Sequence, residues 1–285
     1  MNILKVIGDF NIRHANKRNA NSSARGVAAI LDENTDFLVR EAYNATRTNI
    51  IYSIGSERGC KKIMITSASP HEGKTTTSLN VAIAFAQTEA RVLIIDADLR
   101  KPRINRYLGL TRENGLSDLL CGLIDTEQAI KHSDKYKMDC ITSGHIPPNP
   151  TELLTSSEMG NLLEKLSEKY DYIFIDTPPV TVVTEAAAMA RYVSGVVFVV
   201  RQNSTISESL NRARTSIQMA NAKILGYILN DVSTASYSYG GYGRYGSSKH
   251  SYSYRYGYGY GYGDKEKEEN NKREVPKKKA KKEKK

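Results

Sequence analysis

The chain has 285 residues, 18 tyrosines, three cysteines and a formal net charge of +10. That charge is concentrated: from Tyr237 to the end there are 14 Lys+Arg against 6 Asp+Glu, a net of +8, which leaves +2 for the body. A body so nearly neutral argues against a nucleic-acid-binding face, and the widely spaced Cys60, Cys121 and Cys140 offer neither a disulfide framework nor a metal-binding pair.

Residues 1–34 carry no clear periodicity and read as a flexible leader. A helix is predicted from Thr35, which can cap it, with Phe37, Leu38 and Val39 opening an apolar stripe that runs towards Ile50. Short apolar strands then alternate with longer amphipathic segments. Strands are predicted at Ile63–Thr66, Val92–Asp96, Met138–Thr142, Tyr172–Asp176, Gly195–Val200 and Ile224–Asn230. Helices are predicted at about 74–87, 115–121, 156–168, 182–191 and 206–220. Continuous apolar strands separated by helices mean an α/β fold, a doubly wound and mostly parallel sheet covered on both faces. Residues 35–235 form this domain; 236–285, Tyr/Gly-rich and then Lys-rich, read as a disordered tail that cannot bury enough apolar surface to offset its ordering entropy. No apolar run approaches the ~18 residues of a membrane span, and no secretory signal opens the chain, so a cytoplasmic location is expected.

In such a sheet the ligand sits beyond the carboxyl ends of the strands, and three motifs fall there. The first strand runs into Ala68-Ser69-Pro70-His71-Glu72-Gly73-Lys74-Thr75-Thr76, a P-loop. The loop amides and the following helix N-terminus bind phosphates, Lys74 neutralises the β and γ charges of ATP, and the Thr75 hydroxyl ligates Mg²⁺. Ser69, Pro70, His71, Glu72, Gly73, Lys74, Thr75 and Thr76 are therefore the expected nucleotide contacts. A second strand, Val92–Asp96, delivers Asp96 and Asp98, two residues apart and on one face while the strand lasts; a metal and a catalytic base explain the pair better than turn chemistry does. A third, Tyr172–Asp176, is four largely apolar residues ending in Asp, the arrangement in which a carboxylate holds Mg²⁺ through water.

Together, Glu72-Gly73-Lys74-Thr75-Thr76, Asp96-Ala97-Asp98-Leu99-Arg100 and Ile175-Asp176-Thr177-Pro178-Pro179 resemble the bacterial tyrosine kinases, or BY-kinases. So do Gly115-Leu116-Ser117-Asp118 and Pro147-Pro148-Asn149-Pro150-Thr151-Glu152-Leu153-Leu154, and the resemblance covers residues 36 to 232. It implies a deviant Walker-type P-loop NTPase fold using ATP and Mg²⁺. It places Lys74 on the phosphates, Thr75, Asp98 and Asp176 around the metal, and Asp96 as base for an incoming tyrosine. In related P-loop ATPases an Asn ending a late strand reads adenine, a place held here by Asn230.

The family's oligomerisation helix carries Glu-x-x-Arg-x-x-Arg; here it reads Glu41, Asn44 and Arg47, so one guanidinium is missing and ring assembly is weakened on this reading. Glu185 stands where the family usually has Asp. Ten tyrosines, Tyr237, Tyr239, Tyr242, Tyr245, Tyr252, Tyr254, Tyr256, Tyr258, Tyr260 and Tyr262, are the implied phosphoacceptors, with glycine and serine between them supplying mobility. The resemblance further implies a role in capsule or exopolysaccharide polymerisation and export. It implies a membrane adaptor of the polysaccharide co-polymerase type that recruits the kinase to the inner face of the cell membrane, self-association and a phosphotyrosine phosphatase. No nucleic-acid partner is expected.

Two other functions use the same fold. A ParA/MinD-type switch ATPase carries a signature lysine early in its P-loop, at the position of Ser69, and lacks a tyrosine cluster. A non-catalytic nucleotide-binding scaffold would keep ATP binding without phosphotransfer. The tail itself has rival readings as a sticky low-complexity segment or an RNA-stacking one.

Overall fold

A computed structural model describes residues 3–4, 30–56 and 58–232, for residues 3–4 the backbone alone. The chain divides into two units, Met1–Gly240 and Gly241–Lys285. All described residues fall in the first, and Tyr237 to Tyr262 lie outside them.

Among the described residues the first unit holds an eight-stranded sheet. In chain order its strands are β1 (Ile3–Leu4), β2 (Lys61–Ser67), β3 (Val92–Asp96), β4 (Ile130–Ser133), β5 (Met138–Ile141), β6 (Tyr172–Asp176), β7 (Gly195–Arg201) and β8 (Ile224–Asn230). They lie in the order β1-β8-β7-β2-β6-β3-β5-β4, and every pairing is parallel except β4 with β5. The helices are α1 (Phe37–Ile54), α2 (Lys74–Ala86), α3 (Ile104–Leu108), α4 (Leu116–Leu120), α5 (Thr126–Ala129), α6 (Pro150–Thr155), α7 (Ser157–Ser167), α8 (Glu185–Met189) and α9 (Ser207–Met219).

Period-two alternation sends successive strand residues to opposite faces, and both faces are apolar, so two cores form. Ile63, Ile65, Ile94, Phe174, Val197 and Val199 join a cluster under α1 and α2. Met64, Leu93, Ile95, Ile173, Ile175 and Phe198 join another, which takes in residues of α4, α7, α8 and α9. Each side chain so buried contributes about 1.5–3 kcal/mol. The α2 helix is fixed at its far end by Phe85, whose ring lies 5.0 Å from Phe174 and 4.5 Å from Tyr172. This anchors the helix whose N-terminus follows the P-loop.

The six predicted strands are all present, and the mostly parallel doubly wound architecture is as expected. Several boundaries moved for local reasons. The cap of α1 is Asp36, not Thr35: its carboxylate accepts the Leu38 N–H at 2.8 Å, whereas the Thr35 hydroxyl accepts the Asp32 N–H in the preceding turn. The helix expected at 182–191 is only the five residues of α8, prolonged by a 3₁₀ turn at Ala190–Tyr192. The antiparallel edge strand β4 was not anticipated; Ile-Lys-His-Ser is too short and too polar to stand out from a loop.

Candidate active site

The P-loop leaves β2 at Ser67 and re-enters regular structure at Lys74. Two of its residues adopt left-handed backbone, His71 (φ 65°) and Gly73 (φ 87°). Gly73 has a second constraint, since a Cβ there would lie 2.1 Å from Nδ2 of Asn230. The first amides of α2, those of Lys74, Thr75 and Thr76, are the orphan donors of any helix N-terminus, and the helix dipole favours an anion before them. On the other side the loop is tied down by residues 180–181: the Val180 N–H reaches the Ser67 carbonyl at 3.0 Å, and the Thr181 hydroxyl the Ala68 carbonyl at 2.6 Å.

Three strand ends converge on Lys74. Its Nζ lies 2.8 Å from Oδ2 of Asp98 and 3.9 Å from Oδ2 of Asp176. Burial disfavours the ammonium, but Asp176 and Asp98 outweigh it and raise the Lys74 pKa. Ser78, one turn along α2, donates to Oδ1 of Asp176 at 3.0 Å. Oδ2 of Asp176 is buried and accepts no hydrogen bond.

Asp96 and Asp98 take different partners. The strand ends at Asp96, so the period of two no longer holds beyond it. Asp98 turns towards Lys74, and its Oδ1 accepts the Lys101 N–H at 3.0 Å. Asp96 is fully buried: Oδ2 accepts the Arg103 and Ile104 N–H groups at 3.1 and 3.0 Å, and Oδ1 has no donor. Burial first, and then the Asp176 charge, push the Asp96 carboxyl up to about 7.

Lys74 and Asp98 open onto a cavity of about 340 Å³. Its lining includes His71, Gly73, Lys74, Thr75, Thr76 and Asp98, with Arg100, Lys101, Arg103, Tyr107 and Arg201 as the other polar residues. Arg100 is held by Glu185, which is 1% exposed, through its Nη2 at 2.7 Å. Arg201 is not legible as a site residue from motif spacing. Ser78 carried a signal, being four residues after Lys74 on the same helix face, and Glu185 stood out only as a departure from the family's Asp. The cavity and the orphaned carboxylate oxygens suit a nucleotide with a hard cation. Mg²⁺ takes few protein oxygens and keeps waters and phosphates as its other ligands.

Asn230 donates from Nδ2 to the Glu72 carbonyl at 3.0 Å, so its amide is engaged on the P-loop backbone. Of the oligomerisation residues, Glu41 and Asn44 bond each other along α1, Nδ2 to Oε1 at 2.9 Å. Arg47 points inwards, and its Nη1 donates to the Ala84 carbonyl in the last turn of α2 at 2.5 Å.

The sheet order and the loop between β2 and α2 define a P-loop NTPase. A family model described as an AAA domain matches residues 60–224. The tyrosine-protein kinase YwqD of Bacillus subtilis is 38% identical over 228 residues, 80% of this chain and 95% of that one. Among solved structures, the kinase domain of Escherichia coli tyrosine kinase ETK superposes with a TM-score of 0.73 at 30% identity, covering 89% of this chain and 95% of that one. The chimerical protein CapA2B2 superposes with a TM-score of 0.69 at 32% identity, covering 81% and 94%. The chain belongs to the bacterial tyrosine kinases.

Proposed function

We propose that this kinase transfers the γ-phosphoryl group of ATP to tyrosines of its own C-terminal cluster, between Tyr237 and Tyr262. The observation that carries the reading is the meeting of Lys74 with Asp98 at 2.8 Å and Asp176 at 3.9 Å, Lys74 and Asp98 lining one cavity, with the half-satisfied Asp96 carboxylate beside Asp176 on the paired strand.

Lys74 and the first amides of α2 bind and orient the phosphates, with Ser69 to Thr76 forming the cradle. Thr75, Asp98 and Asp176 would hold Mg²⁺, which when bound neutralises charge on the phosphate oxygens. Asp96 is the base. The tyrosyl oxygen forms a bond to the γ-phosphorus as the bridge to the β-phosphate breaks, and the tyrosyl proton passes to the free Oδ1 of Asp96. Its raised pKa suits that task, because a base poised near neutrality both stays ionised and accepts a proton readily. Asn230 is the residue beside the base of the nucleotide.

The ten clustered tyrosines, spaced by glycine and serine, supply acceptors that reach a site too deep for a serine hydroxyl. Each phosphate adds about −1.5 to −2 charges, so a few modified sites outweigh the tail's +8. That reversal of charge supports a cycle: tails dock into neighbouring copies in a ring built on Glu41, Asn44 and Arg47, phosphorylation releases them, and a phosphatase resets them. No helix among the described residues is long and apolar enough to cross a membrane. A membrane adaptor of the polysaccharide co-polymerase type would bring the kinase to the inner face of the membrane, where it regulates capsule or exopolysaccharide polymerisation.

The test is transfer of labelled γ-phosphate in purified protein, with the adaptor's cytoplasmic peptide present, read by phosphotyrosine mass spectrometry. Wild type is compared with Lys74→Met and with a chain truncated after Ala235. Label on Tyr237–Tyr262 that vanishes in Lys74→Met is the expected result. ATP hydrolysis without phosphotyrosine would sink the kinase reading and leave a switch ATPase.

A further inference from the structure

Glu72 places a carboxylate inside a loop whose task is to hold phosphates, and no step above uses it. It is 2% exposed. Its Oε1 accepts the Thr205 hydroxyl at 2.5 Å and its Oε2 the Ser69 N–H at 3.1 Å. Burial raises its pKa, and these two donors oppose the rise. Thr205 lies in the connection between β7 and α9, where its Oγ1 also accepts the Arg201 N–H at 2.8 Å. Arg201, the last residue of β7, is held by Asp231 at 2.7 Å and donates from Nη1 to the His71 carbonyl at 3.2 Å.

We infer that Thr205 and Arg201 are positioning residues for the nucleotide: they brace the apex of the phosphate loop, and Thr205 holds the Glu72 carboxylate away from the phosphates. Two physical demands meet in this brace. His71 sits in left-handed backbone at φ 65°, a conformation that a non-glycine residue keeps only when its surroundings fix it, and Arg201 holds its carbonyl. A carboxylate beside a triphosphate repels it in a site of low dielectric, unless its lone pairs are aimed at donors elsewhere. Thr205 and Ser69 are those donors, one for each oxygen. The Thr205 hydroxyl therefore has an electrostatic function as well as a packing one, and the two make different predictions.

The inference rests on the reading that this loop binds ATP. It is tested by measuring the Kd of a fluorescent ATP analogue with Mg²⁺ on the full chain, alongside thermal unfolding. The proteins compared are wild type, Thr205→Val, Thr205→Ser, Glu72→Gln and the Thr205→Val/Glu72→Gln double variant. Thr205→Val is expected to weaken binding about tenfold, because it releases an ionised carboxylate beside the phosphates, while Thr205→Ser stays within about twofold of wild type. In the Glu72→Gln background the same Thr205→Val change is expected to shift Kd by less than about twofold, since the charge it would release is gone. Thr205→Ala takes the place of Thr205→Val should that variant not fold. A Thr205→Val protein that binds like wild type overturns the inference, as does a valine effect of equal size in both backgrounds. A wild-type chain that binds no nucleotide would instead remove the ATP reading beneath it.

Discussion

The ammonium of Lys74 and the carboxylate of Asp98 are each other's partners, 2.8 Å apart and both largely buried. The cation assigned to phosphate and the carboxylate assigned to the metal thus neutralise one another. Removing one partner of a buried pair strands the other charge, which costs about 3–5 kcal/mol, more than the pair contributes as a unit. Lys74→Met is accordingly expected to lose both phosphotransfer, by about 10²–10³-fold or more, and thermal stability. Adding Asp98→Asn should restore much of the stability and none of the activity. Differential scanning fluorimetry beside the transfer assay separates the two effects. A Lys74→Met protein as stable as wild type would show that the pair is not what holds Asp98 in place.

Asp96 makes stability depend on pH in an unusual direction. Its carboxyl rises from 3.8 to about 7 in the folded chain, chiefly through burial and then through Asp176. Between those values the folded state binds a proton that the unfolded state has lost, so the group's contribution to stability falls as pH rises. Above about pH 7 the fold carries a buried charge that is poorly compensated. Asp96→Asn removes the titration. With EDTA and no nucleotide, the variant is expected to gain on wild type as the pH rises from about 4 to about 7. A constant difference across that range would remove the assignment. On the proposed mechanism catalysis has the opposite sign, because only the ionised form accepts the tyrosyl proton.

Local periodicity made the sheet legible. Val92-Leu93-Ile94-Ile95-Asp96 and Tyr172-Ile173-Phe174-Ile175-Asp176 are apolar up to their last residue because both faces are covered, and each ends in a buried Asp. The motif residues were legible for the same reason, since they sit at strand ends. Contacts made across long separations were not. Glu72 meets Thr205 from 133 residues away, and Arg201 meets His71 across 130. No spacing rule couples such positions; only the strand order, which lays β7 beside β2, brings them together.

Arg47, proposed above as part of an assembly face, also has a partner inside the domain. Its guanidinium caps the Ala84 carbonyl at the C-terminal end of α2, where a cation is favoured by the helix dipole. Arg47→Ala is expected to destabilise the domain by about 1–2 kcal/mol, measured by urea unfolding. The Asn44 side chain donates to Glu41 on the same helix. Asn44→Arg is therefore expected to leave stability within about 0.5 kcal/mol and to shift the assembly towards larger species on sizing chromatography. An unchanged profile would count against a role for this helix face in assembly.

Gly73 and Gly109 form an internal pair of controls for the phosphate loop. Both have positive φ, 87° and 67°, so an alanine at either carries the left-handed penalty of roughly 1–2 kcal/mol. At Gly109 nothing lies within 4 Å of an added Cβ, and that penalty is the whole effect. At Gly73 the Cβ would lie 2.1 Å from Nδ2 of Asn230, which must move and give up its bond to the Glu72 carbonyl, a further loss of about 1 kcal/mol. Gly73→Ala is thus expected to be less stable than Gly109→Ala and to lose nucleotide affinity at least about tenfold, because the loop apex moves with Asn230. Gly109→Ala should bind nucleotide like wild type. Equal stability and equal affinity for the two variants would mean that Asn230 yields without cost, and that the loop apex is not held from the β8 side.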